Sequence, residues 1–479
     1  MLKKRQKKLA IDILKNKRRE ALKGLLRDQI KRQRIIVHAK SLTERKKNLQ
    51  SRILEDQDFK PLLEAFPCWC LTTYQVSGSL PLKPGLFDVA IIDEASQCDI
   101  ASCFPILYRA KKVVIVGDDK QLPHLSFLEK AKEQSFLSKY QIPDKYQLMW
   151  RFRINSMFDL ANYYSTNPTL LDEHFRCQEP IIKFSNEEFY GGRLRVMTKD
   201  NGAKDTLEFH YVPDGKCDSD ATKNRPETEA IIKRLHEIIL EDDMKKNDEP
   251  VSIGIISPFR GQVEMIKKAV LQVFSEATIL KHKIEIGTAH TFQGDERDII
   301  MLSWAIADNS YSQSLMFLQK PNLFNVAITR ARKKLICFLS KNPKDLPQGL
   351  LRSYIESFET YETRNKSDAP VYDENVFKND FEKVVYDALK AEGLEIQAGK
   401  NLSGVSVDLF VKDSEGSQLL VEIDGVEDKE KTYISATKKQ AILERSGYRV
   451  ERISAREWRY SPDACINRVK NILAEENCV

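Results

Sequence analysis

Phe87-Asp88-Val89-Ala90-Ile91-Ile92-Asp93-Glu94-Ala95-Ser96-Gln97 is the stretch on which the fold turns. Val89 to Ile92 is a short apolar run, the pattern of a buried strand in a parallel sheet. It ends on two adjacent carboxylates, Asp93 and Glu94. In open α/β sheets ligands bind just past the carboxyl ends of the strands. An acid pair there suits Mg²⁺ and a water directed at a nucleoside triphosphate. The same residues also suit a strand that runs into a solvated acidic turn, and the stretch alone leaves both open.

Working outward, a second apolar run, Val113-Val114-Ile115-Val116, ends in Gly117-Asp118-Asp119-Lys120-Gln121-Leu122-Pro123. With a helical stretch at 99–110 between the runs, the pattern is a βαβ unit whose two polar turns share one edge. A glutamine projecting there can sense a terminal phosphate. Before this unit, residues 1–60 have helical spacing (Leu9, Ile13, Leu14; Ala21, Leu22, Leu25, Leu26), no proline and only Gly24, which predicts one or two long helices.

The 479 residues suffice for about three domains, and 42% hydrophobic with 30% charged residues is a soluble, globular composition. No run approaches the roughly 18 apolar residues of a membrane span, and the basic N-terminus lacks the apolar core of a secretory signal. A cytoplasmic protein with no membrane partner is expected. The nine cysteines are scattered and odd in number, which favours reduced thiols. Cys68-x-Cys70 and Cys98-x4-Cys103 fit no standard zinc spacing. Residues 1–50 hold 18 Lys/Arg against 4 Asp/Glu, within a chain of net charge +6. Such asymmetry suits a basic arm that meets nucleic acid, and equally a solvated helical surface or a stalk packed on a partner.

Asp93-Glu94-Ala95-Ser96-Gln97 and Gly117-Asp118-x-x-Gln121-Leu122-Pro123 resemble motifs II and III of superfamily 1 helicases, in the branch whose Walker B box begins Asp-Glu-Ala and ends in Gln. Further boxes follow in the family's order. Glu173-His174-Phe175-Arg176-Cys177-x-x-Pro180 with Phe184-Ser185-Asn186-x-x-Phe189-Tyr190 resembles motif IV and its helix. Gly287-Thr288-Ala289-His290-Thr291-Phe292-Gln293-Gly294-Asp295-Glu296-Arg297-Asp298 resembles motif V, and Asn325-Val326-Ala327-Ile328-Thr329-Arg330-Ala331-Arg332 resembles motif VI. The resemblance implies roles residue by residue. Asp93 holds Mg²⁺, Glu94 activates the attacking water, and Gln121 senses the γ-phosphate. Arg176 and Arg330 reach the γ-phosphate across an interdomain cleft, and Glu296 contacts the nucleotide. Thr288 and Gln293 couple the motif V loop to the nucleic-acid strand. Phosphoryl transfer needs positioning and charge neutralisation, to which arginines contribute strongly. Arg332 is left between this role and surface salt bridging.

Family members carry a G-x-x-x-x-G-K-[ST] phosphate loop before the Asp-Glu strand. The glycines before Asp93 are Gly24, Gly78 and Gly85, and none opens such a loop. The expectation is therefore a motor beginning part-way through its first lobe: a fragment, one half of a split motor whose phosphate loop lies on another polypeptide, or a remnant. The chain by itself is expected to hydrolyse ATP poorly, and ATP becomes a ligand only if that loop is supplied elsewhere.

After a polar linker at 360–378, a new pattern begins. Phe381-Glu382-x-x-Val385-x-x-Ala388-Leu389 is an amphipathic helix ended by Gly393. Val405 to Val411 and Leu419 to Gly425 are strands with Gly416-Ser417 between them, a helix follows over Lys438 to Arg445, and Tyr448 to Ile453 is a third strand. Glu422 and Asp424 lie two apart and share a face. Asp408 on the paired strand can converge with them, and Glu382 can join from the helix. Clustered acids suit a bound cation, most simply Mg²⁺, or alternatively a half-polar face in water. Glu422-Ile423-Asp424 and Lys439-Gln440 to Ile453 resemble the PD-(D/E)xK nuclease fold, in the small domains related to very-short-patch repair endonucleases. The usual E-x-K lysine is absent, and Lys439 on the next helix is the candidate to replace it.

The expected fold class is thus α/β: two RecA-like P-loop NTPase lobes, the first incomplete, plus a C-terminal α/β restriction-endonuclease-like domain. The divisions are 1–60 (basic arm), 61–169 (partial first lobe), 170–359 (second lobe), 360–378 (linker) and 379–479 (nuclease-like domain). The expected function is a helicase–nuclease acting on nucleic acid, with DNA favoured, in repair or defence against foreign DNA. The alternatives are a degraded nucleic-acid-binding or assembly protein, and a nuclease that uses the motor lobes as a binding platform.

Overall fold

The computed structural model describes residues 2–43, 58–200, 205–218, 222–245, 249–367, 377–425 and 430–476. They form two compact units, Met1–Pro168 and Thr169–Val479.

In the first unit the expected N-terminal helices are α1 (Leu2–Arg27) and α2 (Gln29–Thr43). Leu9, Ile13 and Leu14 of α1 are exposed, while Leu25 is buried. Strand β1 (Phe87–Ile92), helix α3 (Ile100–Tyr108) and strand β2 (Ala110–Ile115) form the expected βαβ unit. The strands are parallel, with Ile92 opposite Ile115. Helix α4 (Met157–Tyr164) packs Met157 and Leu160 against Ile92, Ala95, Ile100 and Cys103.

One expectation is corrected. β1 reads as a buried strand, yet Val89 is 48% and Ile91 68% exposed, and Val114 on β2, opposite Ile91, is exposed beside them. Among the described residues this sheet has two strands, covered on the α3–α4 side, and Val89, Ile91 and Val114 on the other face meet solvent.

The second unit contains a sheet in the order β5-β9-β8-β6-β7, parallel throughout. Its strands are β5 (Leu207–Tyr211), β6 (Ile253–Ile256), β7 (Glu285–Gly287), β8 (Arg297–Ser303) and β9 (Ala331–Leu339). Ahead of them lie the short pair β3 (Glu173–His174) and β4 (Arg195–Val196), with helix α5 (Glu179–Tyr190) between. Helices α6 (Arg225–Met244) and α7 (Arg260–Val273) place Ile231, Leu235, Ile238, Ile266 and Val270 against Ile253, Ile255, Met301, Ile336 and Phe338. Helix α8 (Pro321–Ile328) leads into β9, and α9 (Leu350–Ser367) follows it.

Residues 201–226, polar and with Asn, Gly, Asp and Pro among them, read as a surface loop, yet they contain β5. Arg234 and Lys334 pair with its Glu208 carboxylate at 2.8 Å and 2.6 Å and let the segment lie at a sheet edge. Similarly, α6 extends to Met244 although the charged run 241–250 reads as a surface loop, and α9 extends through 360–367, the start of the expected linker.

A buried polar network fastens the carboxyl ends of β8 and β9. The Glu227 carboxylate accepts bonds from Ser303 Oγ (2.7 Å), the Ala305 N–H (2.9 Å) and Ser340 Oγ (3.0 Å). Gln262 joins in by accepting the Asn224 N–H and donating to Ser303 Oγ.

Residues 377 onward form a four-stranded sheet, β10-β13-β14-β15. After helix α10 (Asp380–Ala391) come β10 (Glu395–Ala398), the small hairpin β11 (Asn401–Leu402) and β12 (Val405–Ser406), β13 (Leu409–Lys412) and β14 (Gln418–Asp424). Helix α11 (Glu430–Arg445), β15 (Arg449–Ser454), α12 (Ala455–Tyr460) and α13 (Pro462–Glu476) complete the domain. β13 and β14 are antiparallel and β14 and β15 parallel. Strand alternation divides the core. Leu409, Val411, Leu419, Val421 and Ile423 face Val385, Leu389 and Val469, while Phe410 and Leu420 face Leu443 of α11 and Tyr448.

Candidate active sites

In the first unit, the chain after β1 is stitched to the chain after β2. Val116 N–H donates to Ile92 O (2.9 Å), Ala95 N–H to Val116 O (2.8 Å) and His124 N–H to Ser96 O (2.9 Å). This brings the Asp93-Glu94 turn and the Gly117–Gln121 turn to one sheet edge, as the βαβ pattern requires. Glu94 has φ 52°, a left-handed conformation that a glutamate rarely adopts. Asp93 stabilises that turn by accepting the Glu94 N–H (2.9 Å), and Glu94 accepts from Gln97 Nε2 (3.0 Å). Asp93 and Glu94 are exposed, and Gln121 Nε2 donates to Asp118 (3.0 Å). Strain of this kind is retained where surrounding structure over-determines it, commonly at functional sites. Gly117 is needed for close approach: a Cβ there would lie 2.6 Å from Phe158 and 3.1 Å from the Ser96 nitrogen.

In the second unit, three stretches distant in sequence converge. Arg176 Nε lies 2.5 Å from Glu296 Oε2, and Arg332 lies 3.7 Å from Glu296 and 3.0 Å from Asp298. Backbone bonds hold the three chains together: Gln178 N–H to Arg332 O (3.0 Å) and Arg297 N–H to Arg330 O (3.1 Å). His174 Nε2 accepts the Cys177 N–H. Burial and the Arg176 charge push His174 down to about 4, so it is neutral at pH 7. Arg330 is buried, donating to Val326 O (3.0 Å). Arg332, left open by the sequence, is a salt-bridging residue. Thr288 accepts the Thr291 and Phe292 N–H groups on its carbonyl, and Gln293 Nε2 is buried without a hydrogen-bond partner.

In the C-terminal domain, Glu422 follows the alternation of β14 onto the face that α11 covers, and Asp408 stands in the bend just before β13, where the expected strand from Val405 to Val411 is interrupted. Lys439, one turn before Leu443 on α11, reaches them. Its Nζ lies 2.5 Å from Glu422 Oε2 and 3.8 Å from Asp408 Oδ1. Asp408 Oδ2 also accepts the Ile423 N–H (2.8 Å), which ties β13 to β14 at the site. Burial first, then the Asp408 charge, push Glu422 upward. Burial does the same to Glu382, which sits at the amino end of α10. Lys378, assigned to the linker from sequence, is bonded to Asp408 through its ammonium, while its N–H donates to Glu382 Oε2 (2.8 Å). A polar residue immediately before the Asn379-capped helix was the signal available for it.

The expected four-acid cluster does not form. Asp424 is taken by Arg452 of the adjacent parallel strand, with Arg452 Nε at 2.9 Å. Among the described residues no three His, Cys, Asp or Glu side chains make a metal-holding group. What remains is two buried carboxylates sharing one lysine. Glu422 Oε1 is buried with no hydrogen-bond partner in a residue only 5% exposed. A free carboxylate oxygen in a two-acid site fits Mg²⁺, which is commonly held by one or two carboxylates with water and substrate phosphate.

The eight described cysteines are free, and no helix among the described residues is long and apolar enough to cross a membrane.

Comparison with known proteins follows these divisions. Two family models, each described as an AAA domain, match residues 1–127 and 154–342. A third, REase_MTES_1575, matches residues 381–473. An uncharacterized ATP-dependent helicase of Mycoplasma genitalium is 28% identical over 347 residues, covering 69% of this chain and 29% of that protein. Helicase SEN1 of Saccharomyces cerevisiae is 29% identical over 280 residues (54% of this chain, 11% of that protein). The probable helicase senataxin of Homo sapiens is 28% identical over 334 residues (64% and 12%). The chain therefore has helicase homologues and an endonuclease-like C-terminal region, and it spans under a third of the length of each of these relatives. A solved arterivirus helicase, the PRRSV enzyme, covers 53% of this chain at 14% identity with a TM-score of 0.26, too slight a likeness to carry weight.

Proposed function

We propose that the chain is the motor-and-nuclease portion of a superfamily 1 helicase, acting on nucleic acid, DNA by preference, and cutting phosphodiester bonds with a divalent cation. The observation that carries the proposal is the Lys439 ammonium set between the buried carboxylates of Glu422 and Asp408. It supplies the basic residue missing from the E-x-K strand position. Asp408 and Glu422 would hold Mg²⁺, which when bound supplies hydroxide and neutralises charge in an in-line displacement. Lys439 is placed to offer its positive charge to a phosphate oxygen beside them. On the motor side, Asp93 and Glu94 would serve ATP-linked Mg²⁺ and the attacking water, with Gln121 as phosphate sensor. Arg176, Arg330 and Glu296 would form the second lobe's nucleotide contacts, and Thr288 and Gln293 its coupling to the strand.

The test is incubation of the 479-residue chain with linear and circular DNA, and with RNA, in Mg²⁺. Cleavage should fall at least about a hundredfold in Asp408→Ala and in Glu422→Ala. An active nuclease indifferent to both changes overturns the assignment.

The exposed apolar face of β1 and β2 supports a second part of the proposal: a strand bearing the phosphate loop, on another polypeptide or segment, packs there. Adding such a segment should restore ATP binding and slow hydrogen exchange across residues 87–92. Restored binding without that protection would place it elsewhere.

A further inference from the structure

We infer that Lys378 is an exchangeable counter-ion of the nuclease centre: its ammonium occupies the Asp408 carboxylate until a divalent cation displaces it. This rests on the nuclease assignment above and adds how the centre is loaded.

The two lysines at the site differ in kind. Lys439 approaches from α11, is 81% buried at its side chain, and spans both carboxylates. Lys378 approaches from the solvent side. Its side chain is 60% exposed while that of Asp408 is 5% exposed, so an otherwise solvated ammonium reaches in to a buried acid. Its backbone is fixed independently, since its N–H is held by Glu382 and the next residue, Asn379, caps α10. The stem can therefore swing away without disturbing the helix.

Electrostatics give the exchange a direction. Counting the two carboxylates that the ammonium groups touch, the site as it stands is neutral. Replacing Lys378 by a divalent cation leaves it at +1, which a phosphodiester monoanion balances. Cation and substrate backbone are thus favoured together, and Lys378 holds the centre closed in their absence. Glu422 Oε1, buried and without a hydrogen-bond partner, is a further oxygen open to the entering cation. Because the cation takes the ammonium's place, the exchange does not leave the buried Asp408 carboxylate without a positive partner.

The experiment is Mn²⁺ binding to the full chain, followed by the loss of the free-ion paramagnetic resonance signal, with Asp408→Ala used to define the site. Lys378→Ala should bind Mn²⁺ at that site on the order of fivefold more tightly, and Lys378→Arg should stay close to wild type. Binding that is lost in Asp408→Ala but unchanged or weakened in Lys378→Ala overturns the exchange and leaves the metal centre standing. No Asp408-dependent binding in wild type or in Lys378→Ala overturns the metal centre and the exchange together.

Discussion

Glu227 offers a quantitative test of the second lobe's construction. It is fully buried and, among the described residues, meets hydroxyl and amide donors. Burial pushes its carboxyl up to about 7, against the opposing pull of the Ala305 N–H and of Ser303 and Ser340. In the unfolded chain a glutamate titrates near 4.3. The folded state therefore holds the proton more tightly, so this group's contribution is greatest below about pH 4.5. It declines as pH rises through about 7, by about 3 kcal/mol in all. Glu227→Gln is neutral at every pH and keeps the acceptors for Ser303 and Ala305. Its amide opposes Asn224 Nδ2, the longest contact at 3.4 Å, at a cost of about 1 kcal/mol. The variant should match wild type near pH 5 and be more stable at pH 8, by about 2 kcal/mol. The assay is urea equilibration at each pH, followed by pulsed hydrogen exchange at one fixed pH, read on peptides covering α6 and β8. At about 1–3 kcal/mol per molar urea, the wild-type midpoint should fall by about 1 M or more relative to the variant. Midpoints that run parallel across this range would refute a protonated Glu227.

Two further outcomes follow from named contacts. His174, held near 4 by burial and Arg176, contributes stability that is complete above about pH 6.5 and lost as pH falls toward 4, up to about 3 kcal/mol. His174→Gln, which keeps an acceptor for the Cys177 N–H, should flatten the acid limb of the same urea series, and an unchanged limb would show His174 to be solvated. Gly117→Ala places a methyl against Phe158 and the Ser96 nitrogen and should destabilise the first unit by about 1–3 kcal/mol. Thermal unfolding checks this, with Phe158→Leu expected to recover part of the loss and no loss at all contradicting the packing.

Periodicity and boxes made much of this molecule legible. The parallel β1–β2 pair, the strands β6 to β9 on the apolar runs Ser252–Ser257, Ile284–Thr288, Ile299–Ser303 and Leu335–Leu339, and the β13–β14 hairpin with its following helix lie close to where the patterns put them. Apolar runs and alternation respond to burial that is local to each strand. β5 escaped because its charged residues are compensated by Arg234 and Lys334 from other elements. Lys378 escaped for a related reason, since nothing within a polar stretch says which of its lysines has a buried acid within reach.

The chain's order of residues determined which chemical groups are present and, within a strand, on which face they lie, because a period of two puts Glu422 and Asp424 on one face of β14 without reference to any neighbour. Only the tertiary structure decided which of them stay together. Asp424 is drawn off by Arg452, Lys439 is delivered by a helix, and Lys378 arrives from the domain's entrance. It likewise left β1 half bare, although its sequence is that of a buried strand. Burial belongs to whatever packs against a segment, and among the described residues Val89 and Ile91 stay exposed.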